Sequence, residues 1–305
     1  MKTNFYSHIL FPSLILLLVI AGFKTGQKNE FNFKSYFSHS NDFQYEYKAN
    51  KNYTKALDHF KWMEENGNEK FPDNNDFLVA SICYVKLSDT TLAIEYLRKA
   101  VIKGYLYIDE ESWATRILGD KIVAVVRKEL PDLKRRYYES IAAQMSGRMQ
   151  LKKYETIDQF VRSEAITKSL SPYEKEKLCH ITDSVNISEF INAVKTNEVP
   201  PLCLLIYHLY DENQKYVPFI DSCLQATMNA GKLSPAGYAF WYDRQRAYVE
   251  KIPQKYGEYI EGYPAKLGKI ANLDSIDFYR NEIGLPPLWQ AAAEKDFELP
   301  SGYKR

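Results

Sequence analysis

Charged side chains that fall among apolar ones are the residues of this chain best placed to do chemistry. In the helix predicted after Pro235, Asp243 lies on a face that otherwise consists of apolar residues. On a later, shorter helix, Arg280 lies between Ile276 and Ile283. Burying a charge alone costs several kcal/mol, so each of these groups must be paired, hydrogen-bonded or exposed to a cavity.

Asp158 and Arg162 are a second candidate pair, because a separation of four residues places them on the same side of a helix. His208 lies off the main apolar face of its predicted helix, where a histidine is more often a half-buried structural residue than a catalyst. If all four charges point inward, we expect them to meet, and we expect Arg280 to pair with Asp243 first and with Asp158 second.

Metal ligands are not grouped in the sequence. None of the four cysteines belongs to a C-x-x-C motif, and none of the five histidines has the spacing of a zinc-ligand pair. Phosphate-binding loops, dinucleotide glycine patterns and nucleophile elbows are missing from the sequence as well. We therefore predict no metal site and no cofactor, and we expect the cysteines to be buried free thiols.

Helices are the elements that must position these residues. Apolar periodicity predicts helices throughout the region after Pro131, which is predicted to mark a boundary. The pairs Ser171-Pro172 and Ser234-Pro235 are typical of helix starts. Between Lys251 and Leu273, prolines and glycines predict a long loop, and Asp274 is predicted to cap the short helix that follows.

A repeat pattern precedes this region. From Tyr36 to Tyr105 the sequence predicts two helix-turn-helix units, and the second resembles a tetratricopeptide repeat. Such repeats need about three units for stability, so Glu111 to Lys128 is expected to add packing helices. The residues that define the pattern are Tyr47, Ala56, Phe60 and Met63 in the first unit and Phe77, Ala80, Tyr84, Ala93, Leu97 and Ala100 in the second.

The N-terminal residues predict export. Ile9 to Phe23 is an uncharged apolar run preceded by Lys2, which is the layout of a signal peptide. The run is shorter than the roughly 20 residues that span a bilayer. We therefore predict an exported protein of the periplasm or cell envelope, with anchoring in the membrane by residues 9–23 as the alternative.

Composition indicates a folded protein. Of its 305 residues, 45% are hydrophobic and 26% are charged, which is near the average for soluble globular domains. Lys and Arg number 40 against 39 Asp and Glu, so no net charge attracts the chain to nucleic acid. We predict an all-α fold, in which tetratricopeptide-like helical repeats (35–130) precede a second helical domain (131–296). A signal peptide or signal anchor (1–26) and a tail (297–305) complete the chain.

Short motifs in the second half occur in the order that we expect in a bacterial family named domain of unknown function 6624. The motifs are D-Q-x-x-R at Asp158–Arg162, a histidine at His208, D-R at Asp243–Arg244, Q-x-Y-G at Gln254–Gly257 and R-x-x-x-G-L at Arg280–Leu285. The region from Leu133 to Leu288 therefore resembles this family. Glu258 stands where the family usually has threonine, which puts in doubt any role of that hydroxyl. The family has no settled activity, so the resemblance implies a boundary and a set of residues but no reaction.

Two interpretations of these residues stay open. In the first, they form buried ion pairs that fix how helices dock. In the second, they line a polar pocket whose arginines bind an anionic or sugar-like ligand, with His208 or Asp243 as the candidate catalytic residue for proton transfer. The candidate ligand-binding residues are Asp158, Gln159, Arg162, Arg244, Gln254, Tyr256, Gly257 and Arg280.

Three functions are compatible with these features. The repeats favour a protein- or peptide-binding scaffold outside the cytoplasm. The second function is a hydrolase-like enzyme or small-ligand binder that uses a polar pocket of Asp243, His208, Arg162 and Arg280. The third is a purely structural envelope protein. Nucleic acid is not an expected partner, and a membrane is expected only through an uncleaved N-terminal segment.

Fusing residues Met1 to Gln27 to a reporter that is active only outside the cytoplasm tests export. We expect reporter activity, because the apolar run has the length and flanks of a signal peptide. The same fusion carrying Leu17→Arg is the control and should be inactive, since an arginine in the apolar run costs about 2.5–3.5 kcal/mol on insertion. An inactive reporter in the unchanged fusion would contradict the prediction.

Overall fold

Helices make up almost all of the regular secondary structure. The computed structural model describes residues 31–196, 204–209, 211–261 and 266–305. The predicted signal segment lies outside these ranges, and Asn32–Arg305 form one compact unit. The predicted all-α fold is confirmed. No helix in the described ranges combines the length and the apolar character that crossing a membrane requires.

The α-helices of the described residues are numbered here in chain order. They are α1 (Phe33–Tyr45), α2 (Tyr53–Asn66), α3 (Asn74–Lys86), α4 (Thr90–Ile102), α5 (Trp113–Leu118), α6 (Asp120–Ile141), α7 (Met145–Arg162), α8 (Glu164–Thr167), α9 (Pro172–Lys195), α10 (Val217–Asn229), α11 (Pro235–Arg244), α12 (Ile276–Glu282) and α13 (Leu288–Lys295). Short 3₁₀-helices cover Tyr107–Asp109, Ala142–Gln144, Leu204–His208 and Asp211–Tyr216, and π-helical turns continue two helices at Glu46–Asn50 and Gln245–Val249.

The predicted long loop contains a small hairpin. Its strands, β1 (Ile260–Glu261) and β2 (Lys266–Leu267), pair antiparallel with Ile260 opposite Leu267. They form the only sheet within the described residues. The hairpin is too short to change the all-α class.

Side-chain caps begin two helices where the sequence predicts them. The Ser171 side chain accepts a backbone N–H in the first turn of α9, and Pro172 is the first helical residue. Ser234 and Pro235 begin α11 in the same way. Proline suits this position because the first helical N–H groups have no partner inside the helix. Gly231 follows α10 with a φ of 65°, a conformation that glycine adopts without strain.

Two predicted helix starts, at Pro131 and after Asp274, are wrong. Pro131 lies inside α6 and is exposed, so the hydrogen bond that proline removes is lost on the solvent side of the helix. Asp274 does not cap α12, which begins at Ile276 after a residue whose side chain makes no capping bond. The Asp274 backbone N–H donates to Asn272 Oδ1. This hydrogen bond closes the turn before the helix begins. The domain limits stay predictions.

Small residues lie where the first helices touch. Helix α1 packs on α2, α3 packs on α4, and α2 also packs on α3. Ala56, Ala80, Ala93 and Ala100 have no exposed surface. The Ser81 hydroxyl donates to the Ala93 carbonyl at 2.7 Å, which requires close approach of α3 and α4. The helical hairpins are present as predicted, and their assignment as tetratricopeptide-like repeats stays a prediction.

Helix α3 has no open face. Every side chain from Asp76 to Tyr84 is buried, and α2, α4 and α5 all pack against this helix. In a repeat array that binds a peptide in its groove, the inner helices expose one side to the partner. Helix α3 therefore does not offer such a groove.

The C-terminal segment packs back onto α1. Asn41 Nδ2 donates to the Gly284 carbonyl at 3.0 Å, and Gln290 Nε2 donates to the Asn41 carbonyl at 3.2 Å. In the predicted tail, the Tyr303 hydroxyl donates to Asp277 at 2.6 Å. The first and last helices of the unit are therefore in contact.

Substituting Ala93 by leucine tests the contact between α3 and α4. We expect Ala93→Leu to lower the free energy of unfolding by about 1–3 kcal/mol, because the larger side chain must enter a closely packed site. Ala226→Leu, at an exposed position of α10, is the matched control and should change it by less than about 0.5 kcal/mol. Urea unfolding followed by circular dichroism measures both. Equal stability of the two variants would contradict the packing.

Candidate functional site

The residues predicted to form one site fall into two separate clusters. The Arg162 cluster consists of Asp158, Gln159, Arg162, Asp183 and His208. The Arg280 cluster consists of Asp243, Gln254, Tyr256, Gly257, Glu258 and Arg280. Arg244 belongs to neither cluster but supports the first. The expectation that all the inward charges meet is therefore wrong.

The Arg162 cluster is built by three segments of the chain. On α7, Arg162 Nη1 donates to Asp158 Oδ1 at 2.5 Å, across one helical turn. Its Nη2 donates to the two carboxylate oxygens of Asp183, on α9, at 2.7 and 2.8 Å. Gln159 Nε2 donates to the other oxygen of Asp158 at 2.7 Å. Both carboxylates are fully buried, so their contacts with the guanidinium replace water.

His208 lies beside the guanidinium of Arg162, with its Nδ1 3.2 Å from Arg162 Nη2 and its Nε2 3.5 Å from Asp158 Oδ1. Because a guanidinium only donates, a neutral His208 accepts from Arg162 when its ring proton is on Nε2. Both ring nitrogens therefore face groups of the chain itself.

Burial and the neighbouring guanidinium favour the neutral form of His208. Burial lowers the pKa of His208 below its ordinary value, and Arg162 acts in the same direction, which together outweigh the opposing effects of Asp158 and Asp183. For Arg162, burial opposes the charge, but the hydrogen bond with Asp183 and the charges of Asp183 and Asp158 raise its pKa. The cluster therefore has a charged arginine between two carboxylates, beside a neutral histidine.

Arg244 holds the turn that carries His208. Its Nη1 donates to the Tyr207 carbonyl at 2.7 Å, and its guanidinium lies 5.3 Å from the centre of the Tyr207 ring. Trp241 Nε1 and Gln245 Nε2 both donate to the Ile206 carbonyl at 3.2 Å. Three side chains of α11 and its π-helical continuation thus fix the 3₁₀-helix Leu204–His208, which replaces part of the longer helix that the sequence predicts there.

Asp243 holds a loop through backbone hydrogen bonds. Its Oδ1 accepts the N–H of Lys255 at 2.8 Å, and its Oδ2 accepts that of Glu258 at 2.9 Å. The N–H of Tyr256 lies 3.0 and 3.1 Å from the two oxygens. Burial raises the pKa of Asp243, although these backbone hydrogen bonds act in the opposite direction. The carboxylate therefore acts as a clamp on the loop.

Arg280 binds the same loop but not the predicted carboxylates. Its Nη2 donates to Glu258 Oε1 at 2.9 Å, and its Nη1 donates to the Tyr256 carbonyl at 2.6 Å. Its Nε donates to the Pro286 carbonyl at 2.6 Å. The predicted pairing with Asp243 or Asp158 is wrong, because backbone N–H groups already satisfy Asp243 and the loop places Glu258 beside the guanidinium.

The remaining Q-x-Y-G residues shape this loop. Gln254 Nε2 donates to the Tyr259 carbonyl at 2.7 Å, and its Oε1 accepts the Tyr259 N–H at 3.1 Å. Tyr256 is buried. Gly257 has a φ of 67°, and a Cβ there would lie 3.3 Å from the side chains of Ile270 and Leu288. These residues serve the conformation of the loop.

Two important residues were missed in the sequence. Asp183 could have been found in the same way as Asp243, from the apolar residues on its helix face, since it lies one turn before the buried Ile187 on α9. Glu258 has no such signal, because it lies in a loop where no helical periodicity shows which residues point inward. Its second carboxylate oxygen accepts from Lys295 at 2.5 Å.

A metal ion would have to compete with Arg162. Asp158, Asp183 and His208 place one possible ligand atom each within 4.8 Å of one another. The guanidinium of Arg162, however, already lies between the two carboxylates and bonds both. This cluster therefore suits an arginine better than a metal ion.

Two clefts of the described surface contain no residue of either cluster. One, of about 260 Å³, lies between α7 and α9 and is lined by Tyr154 and Asn192. The other, of about 240 Å³, lies between α1 and the segment around Gly284. No candidate site residue lines either cleft.

Comparison of the chain with protein-family models, with curated proteins and with solved structures gives no match. The family resemblance and the tetratricopeptide-like assignment therefore stay predictions. The geometry of the two clusters is that of two networks whose members bond one another.

Removing the guanidinium of Arg280 tests whether it holds the loop. We expect Arg280→Ala to lower the free energy of unfolding by about 3–5 kcal/mol, because it leaves Glu258 buried with only Lys295 as a partner. Arg116→Ala, at an exposed position, is the matched control and should change it by less than about 0.5 kcal/mol. Urea unfolding measures both. A loss for Arg280→Ala that is no larger than that of the control would contradict the role of Arg280.

Proposed function

We propose that this protein is an exported helical scaffold that works by binding a partner protein, and not an enzyme. The proposal is supported by the burial and the hydrogen bonds of the side chains that could act in catalysis. Asp158, Asp183, Asp243 and Arg280 are fully buried, and each bonds groups of the chain itself. A substrate would have to break these bonds to reach them.

The outer faces of α7 and α9 are the surface on which we place the partner. Six large apolar side chains on these two helices are exposed. Single exposed apolar residues are ordinary. Ile181 and Val185, however, lie one helical turn apart on α9 and are both more than half exposed, at 55% and 54%. The other four residues are Met145, Met149, Phe160 and Tyr173.

This surface suits a protein partner. Adjacent aliphatic residues on one helix face give a partner a continuous apolar contact. Methionine side chains adapt to irregular surfaces and are frequent at binding sites. Every side chain of α3 from Asp76 to Tyr84 is buried. We therefore place the partner on α7 and α9 and not in a groove of the repeats.

A small-ligand site at the edge of the Arg162 cluster is the second candidate. Arg162 keeps 23% of its side chain exposed and His208 keeps 17%, whereas the two carboxylates are closed off. An anionic ligand would meet these two side chains first. It would have to compete with Asp158 and Asp183 for the guanidinium, so we rank this function below partner binding.

Photo-crosslinking in the native host tests the proposal. A photoreactive residue at position 181 should give one discrete adduct of higher mass, because this position lies in the proposed contact. The same residue at exposed Ser222, on α10, is the matched control and should give none. Adding Val185→Glu should abolish the adduct from position 181, since it places a charge in an apolar contact. Equal yields from positions 181 and 222 would overturn the proposal.

A further inference from the structure

Two histidines that are far apart in the sequence meet in the first helical hairpin. His39 lies on α1 and His59 on α2, and their Nδ1 atoms are 3.1 Å apart. The ring centres are 5.3 Å apart, and both side chains are partly exposed. The facing nitrogens thus lie at a helix–helix contact, on two side chains that are partly exposed.

The spacing of these nitrogens suits a shared metal ion. Zinc binds imidazole nitrogen at about 2.0–2.1 Å with tetrahedral geometry, which places two such nitrogens about 3.3 Å apart. The observed separation differs from this by a few tenths of an ångström. In the free protein one nitrogen must donate and the other accept, whereas a metal ion would use the lone pairs of both.

The surroundings of the pair favour metal binding. His39 stacks on Trp62, with ring centres 3.9 Å apart and planes inclined by 13°, which holds the imidazole in place. A metal ion binds two neutral imidazoles, because each nitrogen must offer its lone pair.

We propose that His39 and His59 form a binding site for a divalent transition-metal ion of the zinc class, with water completing its coordination. Zinc, nickel and copper ions all accept imidazole. The ion would join α1 to α2 and stabilise the hairpin, because a ligand that binds only the folded state raises the unfolding temperature. The proposal is independent of the partner-binding surface on α7 and α9.

Calorimetric titration of the full chain, prepared without a polyhistidine tag, with zinc chloride tests the site. We expect one ion per chain and a higher unfolding temperature in its presence. His39→Phe keeps a ring to stack on Trp62 but has no nitrogen, and His59→Asn removes the other imidazole. Each should weaken binding at least about tenfold, since changes outside the ligand shell already cost about 10–100-fold.

The matched control is His180→Phe, which alters an exposed histidine that lies near Glu212. It should leave the affinity for zinc unchanged. The unfolding temperature of each variant without metal shows whether the fold is retained. No binding by the wild-type chain, or equal binding by wild type and the folded His39→Phe variant, would overturn the proposal.

Discussion

A fully buried arginine is tolerated only if its guanidinium finds acceptors inside the protein, and Arg280 imposes this condition on the C-terminal region. Its acceptors are the carbonyls of Tyr256 and Pro286 and the carboxylate of Glu258. Tyr256 and Glu258 belong to the loop after α11, and Pro286 follows α12. One side chain therefore joins the loop to the segment that packs on α1.

The same loop is held from a second direction by Asp243. Its carboxylate accepts the backbone N–H groups of Lys255, Tyr256 and Glu258, so one side chain ties three positions of the loop to α11. The adjacent residue, Arg244, points to a different part of the protein and bonds the carbonyl of Tyr207. Helix α11 thus supports both clusters, although the clusters themselves are separate.

The apolar neighbours of several charges on their predicted helix faces indicated correctly that these charges point inward. Asp158, Asp243 and Arg280 are all fully buried, as expected from their apolar neighbours. The predicted partner of Arg280 was wrong, because Glu258 lies in a loop without periodicity and was judged only by its departure from the family pattern. The candidate residues were identified well, but their grouping into one pocket was not.

Local physical rules determined much of this protein from its sequence alone. Apolar periodicity determined the helices, and serine-proline pairs determined the starts of α9 and α11, because these signals act within a few residues. Tertiary structure alone decided which distant groups meet: Asp183 with Arg162, and His39 with His59. Periodicity tells which side of a helix is buried but not which other helix covers it. A desolvated charge requires a partner, but the partner is whichever group the packing of the whole chain brings within reach.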